Sequence, residues 1–509
     1  MPDGTHQAPQ KPPTDSLYAA HRKVYPRAVH GRIRTLKYAT LVLLLGLYYV
    51  VPWLRWNRGP GVPDQAVLVD ITNARIFFGP VEIWPQEIYF LTGLLILGAI
   101  GLFAVTSLFG RIWCGFTCPQ TVWTDLFMWV ERRIEGDRNA RMKRDAGPPT
   151  RDRRLRRLAK HAAWLGIAAA TGGAWIMYFQ DAPTVTVAIL TGGASLETYF
   201  FFGLFTLTTY VLAGFAREQV CTYMCPWPRF QGAMLDGDSL VVTYREWRGE
   251  PRGKLKSEGV GDCVDCGACV HVCPTGIDIR NGQQLECIGC GLCVDACDDV
   301  MRKLHRPTGL IAFETLTNLA ASSTAAQGCA PGPARQQAGM AARKSLHMIR
   351  PRTIMYAAVL GVVSLAMLGA FLLRETVTLS VLAERAPPFV RLSDGGVRNA
   401  FTLKLIDKTR ASASFTLVME GPEGLRLLVQ DAATDSAGRP ILPAVNDGVA
   451  QFRALVTQPP ARREGHDRER RREREDAGRV EQERLRFRLL DANGRAVASA
   501  ETVFLAPHR

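Results

Sequence analysis

The chain has 509 residues, enough for several units, with a net charge of +15, a pI near 9.4 and 13 cysteines. A basic balance alone would suit nucleic acid, but here Lys and Arg alternate with long apolar runs, which is a membrane pattern. No Walker A motif, dinucleotide fingerprint or C-x-x-C-H is found, which sets aside ATP use, direct NADH oxidation and covalent haem.

Met1 to Lys37 is Pro-rich, polar and basic, and reads as a mobile tail with residues 1–35 disordered. The apolar run behind it has no A-x-A-like site, so it reads as a retained anchor, not a signal peptide. Five membrane spans are expected: Tyr38 to Leu54, extending to Leu36 and Trp56, then Ile88 to Phe109, Ala162 to Phe179, Tyr199 to Ala216 and Thr353 to Leu373. For the third and fourth, which are short, a buried core helix is the alternative. Gly110 to Lys160 is crowded with Lys and Arg, whereas Gln180 to Thr198 has none. That asymmetry puts the first loop inside and the second outside. The expected order is then a cytoplasmic tail (1–35), four spans (36–216), a cytoplasmic segment (217–351), a fifth span (352–374) and an outer domain (375–509).

The cytoplasmic segment holds two runs of C-x2-C-x2-C-x3-C: Cys263, Cys266, Cys269 and Cys273, then Cys287, Cys290, Cys293 and Cys297. Three thiolates at intervals of three on a Gly-bearing loop reach three corners of a cubane, and the fourth Cys goes to the neighbouring cluster. Cys263, Cys266, Cys269 and Cys297 are therefore assigned to one [4Fe–4S] cluster, and Cys287, Cys290, Cys293 and Cys273 to the other. Zinc has no use for the third Cys, and disulfides do not suit a reducing compartment. Pro274 follows the first run, but Asp298 stands where the second would have Pro. His271, inside the first run, is expected to tune a cluster through hydrogen bonding and not to bind metal.

Four further cysteines form two boxes, Cys114-Gly-Phe-Thr-Cys118-Pro119 and Cys221-Thr-Tyr-Met-Cys225-Pro226, each just beyond the end of an expected span. The Pro favours a helix break and restart, where the helix dipole and nearby Arg would lower a thiol pKa. Soft-metal binding and thiol redox chemistry are both open, as is a pair of inert buried cysteines. Cys329 has no partner nearby and is read as incidental.

After Arg374, short β-prone runs (Thr376 to Leu382, Phe401 to Ile406, Phe415 to Met419, Arg484 to Leu490) alternate with turn signals at Ser393 to Gly396 and Asp491 to Gly494. This texture is that of a small antiparallel sandwich, immunoglobulin-like by strand count and size alone. The charged block Arg462 to Arg479 reads as a solvated loop or lone surface helix.

Together the spans, boxes, paired cluster motif and outer β domain resemble the CcoG family, also called FixG or RdxA, accessory proteins of cbb3-type cytochrome c oxidase. The family-like stretches include Arg111-Ile-Trp-Cys114, Ile134 to Arg138, Arg229-Phe-Gln231, Arg248 to Arg252, Cys273 to Arg280, Asp295 to Asp298 and Leu392 to Gly395. The resemblance implies an oxidoreductase of the bacterial inner membrane with two [4Fe–4S] clusters, reducing Cu(II) to Cu(I) during oxidase assembly. It also implies a periplasmic immunoglobulin-like domain. On that reading Cys114, Cys118, Cys221 and Cys225 handle transient copper, and the partners are an unidentified electron donor, oxidase assembly factors and copper transporters, with no nucleic acid. Trp227-Pro228 and the charged block depart from the family pattern. A quinol-linked electron-transfer subunit and a non-catalytic assembly scaffold are the alternatives.

Overall fold

The computed structural model describes residues 23–59, 61–254, 257–408, 414–443, 449–460 and 480–507. The chain divides into two compact units, one comprising residues up to Trp56 and Gln65–Met367, the other Asn57–Asp64 and Leu368 onward.

In the first unit, helix α1 (Arg32–Val50) is followed by a three-stranded antiparallel sheet, β1 (Val67–Asp70), β2 (Arg75–Phe78) and β3 (Val81–Ile83). Helix α2 (Tyr89–Phe109) ends at Gly110 with φ of 61°, a left-handed terminus suited to glycine. Then come α3 (Pro119–Glu135), α4 (Arg138–Ala146), α5 (Arg151–Ile176), α6 (Ala182–Thr191) and α7 (Leu196–Val211). Thr150, Asp181 and Ser195 cap the last three by accepting from backbone N–H groups. Beyond them lie α8 (Trp227–Met234), β4 (Leu240–Tyr244), α9 (Glu246–Gly249), α10 (Ala268–Val272), α11 (Leu292–Lys303), β5 (Ile311–Thr315), α12 (Leu316–Ala325), α13 (Pro333–Ala341) and α14 (Pro351–Leu372).

Four of the described helical stretches are long and apolar enough to cross a membrane: Arg32–Trp53, Pro85–Phe109, Leu196–Ala216 and Pro351–Leu372. The expected third span, Ala162 to Phe179, is not among them. It forms the later part of α5, where Ala, Gly and Thr dilute the hydropathy and Trp164, Ala168, Gly172, Gly173, Ala174 and Ile176 are buried. Small residues let helices approach closely, and a Cβ at Gly172 would meet Thr206 N of α7 at 2.9 Å. Tyr48, near the end of α1, donates to Thr171 O (2.8 Å), and Tyr178 donates back to Tyr48 O (3.0 Å). At the other end, Arg34 of α1 and Lys160 of α5 both pair with carboxylates of α3, Asp125 and Glu131. Helices α1 and α5 therefore run in the same direction side by side.

The expected tail is also corrected in part. Residues 1–22 lie outside the described residues, but 23–35 are packed: Lys23 and Tyr25 bond Asp145, Arg27 N donates to His271 O, and Arg34 is buried. Low apolar content did not leave this stretch free, because its anchors are hydrogen bonds and ion pairs to other segments.

The second unit is the anticipated β-sandwich, with ten strands among the described residues. One antiparallel sheet has the order β10 (Arg426–Val429), β13 (Val449–Gln458), β8 (Val397–Asp407), β6 (Val377–Ala383), with β7 (Val390–Arg391) also on β8. The other runs β11 (Ala433–Thr434), β12 (Pro440–Pro443), β9 (Ser414–Glu420), β14 (Val480–Leu490), β15 (Ala496–Pro507). Alternation along β8 buries Phe401, Leu403 and Leu405 against Leu417, Phe487 and Phe504 of the facing sheet, an immunoglobulin-like core. Both expected turns form: Leu392 N bonds Gly396 O, and Asp491 N bonds Arg495 O. The charged block Arg462 to Arg479 lies outside the described residues.

Candidate functional site

Strands β4 and β5 pair antiparallel and form the floor on which the two cysteine runs fold. Each run places a left-handed glycine, Gly267 or Gly291, immediately before a helix, α10 or α11. That turn brings the C-x2-C-x2-C thiols round one centre. Where Pro would stop α11, Asp298 lets it continue to Lys303, and its carboxylate accepts from Gly309 N at 2.7 Å.

Two cavities result. One is lined by Cys263, Cys266, Cys269 and Cys297. The other is lined by Cys273, Cys287, Cys290 and Cys293, with Cys269 also on its wall. Val242, Ile277 and Ile288 line the second and Tyr244, Met301 and Leu310 the first, so both have largely apolar walls. Burial, reinforced by the other thiols, pushes the Cys290 and Cys297 pKa up to about 12. Among the described residues, no three Cys, His, Asp or Glu side chains gather tightly enough for a single metal ion. Four thiols spread round a cavity suit a polynuclear cluster, which occupies the space between them. Each set of four fits one cubane. The His271 ring is exposed and lies over Gly267.

The boxes break and restart helices, with a feature the sequence did not signal: each is a single π-helical turn, Trp113–Thr117 and Val220–Met224. Such turns occur often at functional sites. Pro119 opens α3, and Pro226 precedes α8. The boxes meet. Cys114 Sγ donates to Gln231 Oε1 of α8 (3.1 Å), Arg111 Nη2 donates to Pro228 O (2.9 Å), and Gln120 Nε2 donates to Leu212 O (2.9 Å). Cys114 lies within electrostatic reach of Cys118, Cys221 and Cys225. The expectation of lowered thiol pKa values is overturned for two of them: burial first, then the neighbouring cysteines, push Cys114 up to about 12 and Cys221 to about 11. For Cys114, Arg111 acts in the expected direction, but desolvation is larger.

The boxes also abut the second cavity. Cys114 and Cys221 pack against the apolar cluster of Val272, Ile288, Cys290 and Leu292. A Cβ on Gly115 would stand 2.9 Å from Cys290 Cα, so only glycine lets these backbones touch. Sequence reasoning missed the residues that make this junction. In the sequence both Gln231 and Arg111 stand out only as members of family-like stretches, Arg111 also as one of many basic residues of its loop. Asp295, between Cys293 and Cys297, accepts from Ile33 N (3.3 Å) and Arg34 N (2.7 Å), and thereby caps α1.

Fold and site together define a membrane-bound iron–sulfur electron-transfer protein with an immunoglobulin-like domain. Three family models match: a 4Fe-4S dicluster domain over residues 216–316, a 4Fe-4S binding domain over 91–136, and the IG-like fold at the C-terminal of FixG, putative oxidoreductase, over 367–507. Nitrogen fixation protein FixG of Rhizobium meliloti is 46% identical over 88% of this chain and 88% of its own. Proteins RdxB and RdxA of Cereibacter sphaeroides are 48% and 45% identical, each over 82% of this chain and 86% and 87% of their own. The chain belongs to the FixG family.

Proposed function

We propose that the chain is a cupric reductase of the bacterial inner membrane, converting Cu(II) to Cu(I) in support of cbb3-type cytochrome c oxidase assembly. The observation that carries this reading is the meeting of the two boxes beside a cluster cavity, with Cys114 and Cys221 packed against its wall and Cys118 and Cys225 within electrostatic reach of Cys114. Cys263, Cys266, Cys269 and Cys297 hold one [4Fe–4S] cluster and Cys273, Cys287, Cys290 and Cys293 the other; when bound, they supply single electrons drawn from an unidentified donor. Copper is the substrate: Cu(II) gains one electron and leaves as Cu(I). Cys114, Cys118, Cys221 and Cys225 receive it, because thiolates prefer the soft reduced ion and two of them suffice. Gln231 orients Cys114, and the Val272 and Ile288 wall keeps water from the junction. The Lys and Arg of residues 110–160 support a cytoplasmic position for the cluster domain, with the β-sandwich periplasmic. Oxidase assembly factors and a copper transporter are the partners that would take the product.

The test is anaerobic purification followed by cuprous-ion trapping under a defined reductant. Reduction no faster than by a cluster-free Cys→Ser variant would sink the reading. A second reading has its own support, since the 4Fe-4S binding domain match over 91–136 includes Cys114 and Cys118: the boxes hold a third cluster. Iron content separates them, at about eight per chain for two cubanes against about twelve for three.

A further inference from the structure

Five arginines are buried among the described residues, Arg34, Arg111, Arg141, Arg245 and Arg248. Four have a carboxylate partner: Asp125, Glu131, Glu314 and Asp262 respectively. Arg111 forms no ion pair among the described residues. Its guanidinium donates to three carbonyls, those of Leu285, Cys287 (3.0 Å) and Pro228 (2.9 Å), and its buried Nε has no partner. Carbonyls satisfy N–H groups but leave the charge uncompensated, and an unpaired buried charge is strongly destabilising. Its surroundings show where the counter-charge comes from. Gly289, between Cys287 and Cys290, packs on the Cβ and backbone of Arg111, where an added Cβ would stand 3.1 Å from Arg111 Cβ and O. The acidic groups near enough to favour its charge are, in order, the cysteines Cys287 and Cys114 and then the carboxylate of Glu286, which makes no ion pair with it.

We propose that Arg111 is the counter-cation of the cluster held by Cys273, Cys287, Cys290 and Cys293, raising its reduction potential by stabilising the extra negative charge of the reduced form. A cluster with four thiolate ligands is anionic and becomes more so on reduction, so a fixed cation behind the Cys287 to Cys290 loop favours the reduced state. The same side chain ties that loop to the second box through Pro228, so the tuning charge sits where cluster domain and boxes join. Arg280 offers a contrast at the other cavity, since Asp278 and Asp265 neutralise it. Arg111 is thus a positioning and tuning residue.

The inference rests on the two-cluster reading, which iron analysis and electron paramagnetic resonance of the unsubstituted protein check separately. The experiment is a redox titration of copper-free, anaerobically purified full-length protein, comparing wild type, Arg111→Gln and Arg111→Lys, with iron content measured on each. Arg111→Gln is expected to keep its iron and lower one of the two potentials by a factor of about ten in the reduction equilibrium, about 59 mV for one electron. The other potential should stay in place, and Arg111→Lys should restore most of the shift. Loss of one cluster in Arg111→Gln but not in Arg111→Lys also supports the charge role. Unmoved potentials at full iron, equal shifts in Gln and Lys, or equal iron loss in both would overturn it, leaving Arg111 as a strut.

Discussion

The cap that Asp295 places on α1 can be tested by removing it from either side. Asp295→Ala removes the buried carboxylate that accepts from the N–H groups of Ile33 and Arg34. Hydrogen bonds to charged groups contribute about 1.5–3 kcal/mol each, and a carboxylate at a helix N-terminus adds up to ~2 kcal/mol in partly buried geometry. These contributions overlap, so about 3–5 kcal/mol is expected for the junction. Gly31→Ala attacks the same contact from the opposite partner. Gly31 has φ of 166°, extended backbone open to any residue, yet an added Cβ would fall within the space of the Asp295 carboxylate. The cost is therefore steric and displaces the cap. Hydrogen exchange at Ile33 and Arg34 in detergent-solubilised holoprotein reads the effect directly. At 1.4 kcal/mol per tenfold, a 3 kcal/mol loss accelerates exchange through local opening by about a hundredfold. Asp295→Asn, which keeps an acceptor but loses the charge, should fall between. Unchanged exchange in both Gly31→Ala and Asp295→Ala would show that α1 is held to α11 by other contacts, and the reasoning would fail.

Replacing Cys114 with Cys118, or Cys221 with Cys225, by Ser should abolish copper binding and turnover while the iron content and cluster spectrum stay intact; full copper reduction without the boxes would place the acceptor elsewhere. Gly115→Ala should disturb the loop at Cys290 and bring iron toward half its normal content, because its Cβ would meet backbone that cannot give way; normal iron would contradict the close approach. Burial alone would raise the Asp145 pKa, but bonds from Lys23 and Tyr25 overcome this and hold it at about 2. A depressed carboxylate stabilises above its unfolded pKa and loses that contribution only as pH falls through the folded value. Proteolysis of residues 23–31 should therefore be flat from pH 7 to about 4, whereas Asp145→Asn should be cleaved faster throughout; loosening between pH 6 and 5 would point to another group. Reporter fusions after Arg306 and after Ala506 should report opposite compartments, and a shared compartment would remove α14 as a span.

The sequence by itself determined the features that depend on local spacing. Intervals between cysteines fix which thiols share a loop, an unbroken apolar run fixes a lipid-compatible helix, and alternation with turn residues fixes a sandwich strand. That is why the two cysteine runs, four apolar helices and the β domain were legible. It could not decide α5 as clearly, because a helix buried by neighbours needs small residues more than hydropathy. Nor could it show residues 23–35 as packed, since their partners Asp145, Asp137 and Asp295 are more than a hundred residues away. Only the tertiary structure brought the two boxes to each other and to the second cavity. Burial there outweighs the helix dipole and raises the thiol pKa values of Cys114 and Cys221, and it leaves Arg111 as a cation whose counter-charge no linear motif could reveal.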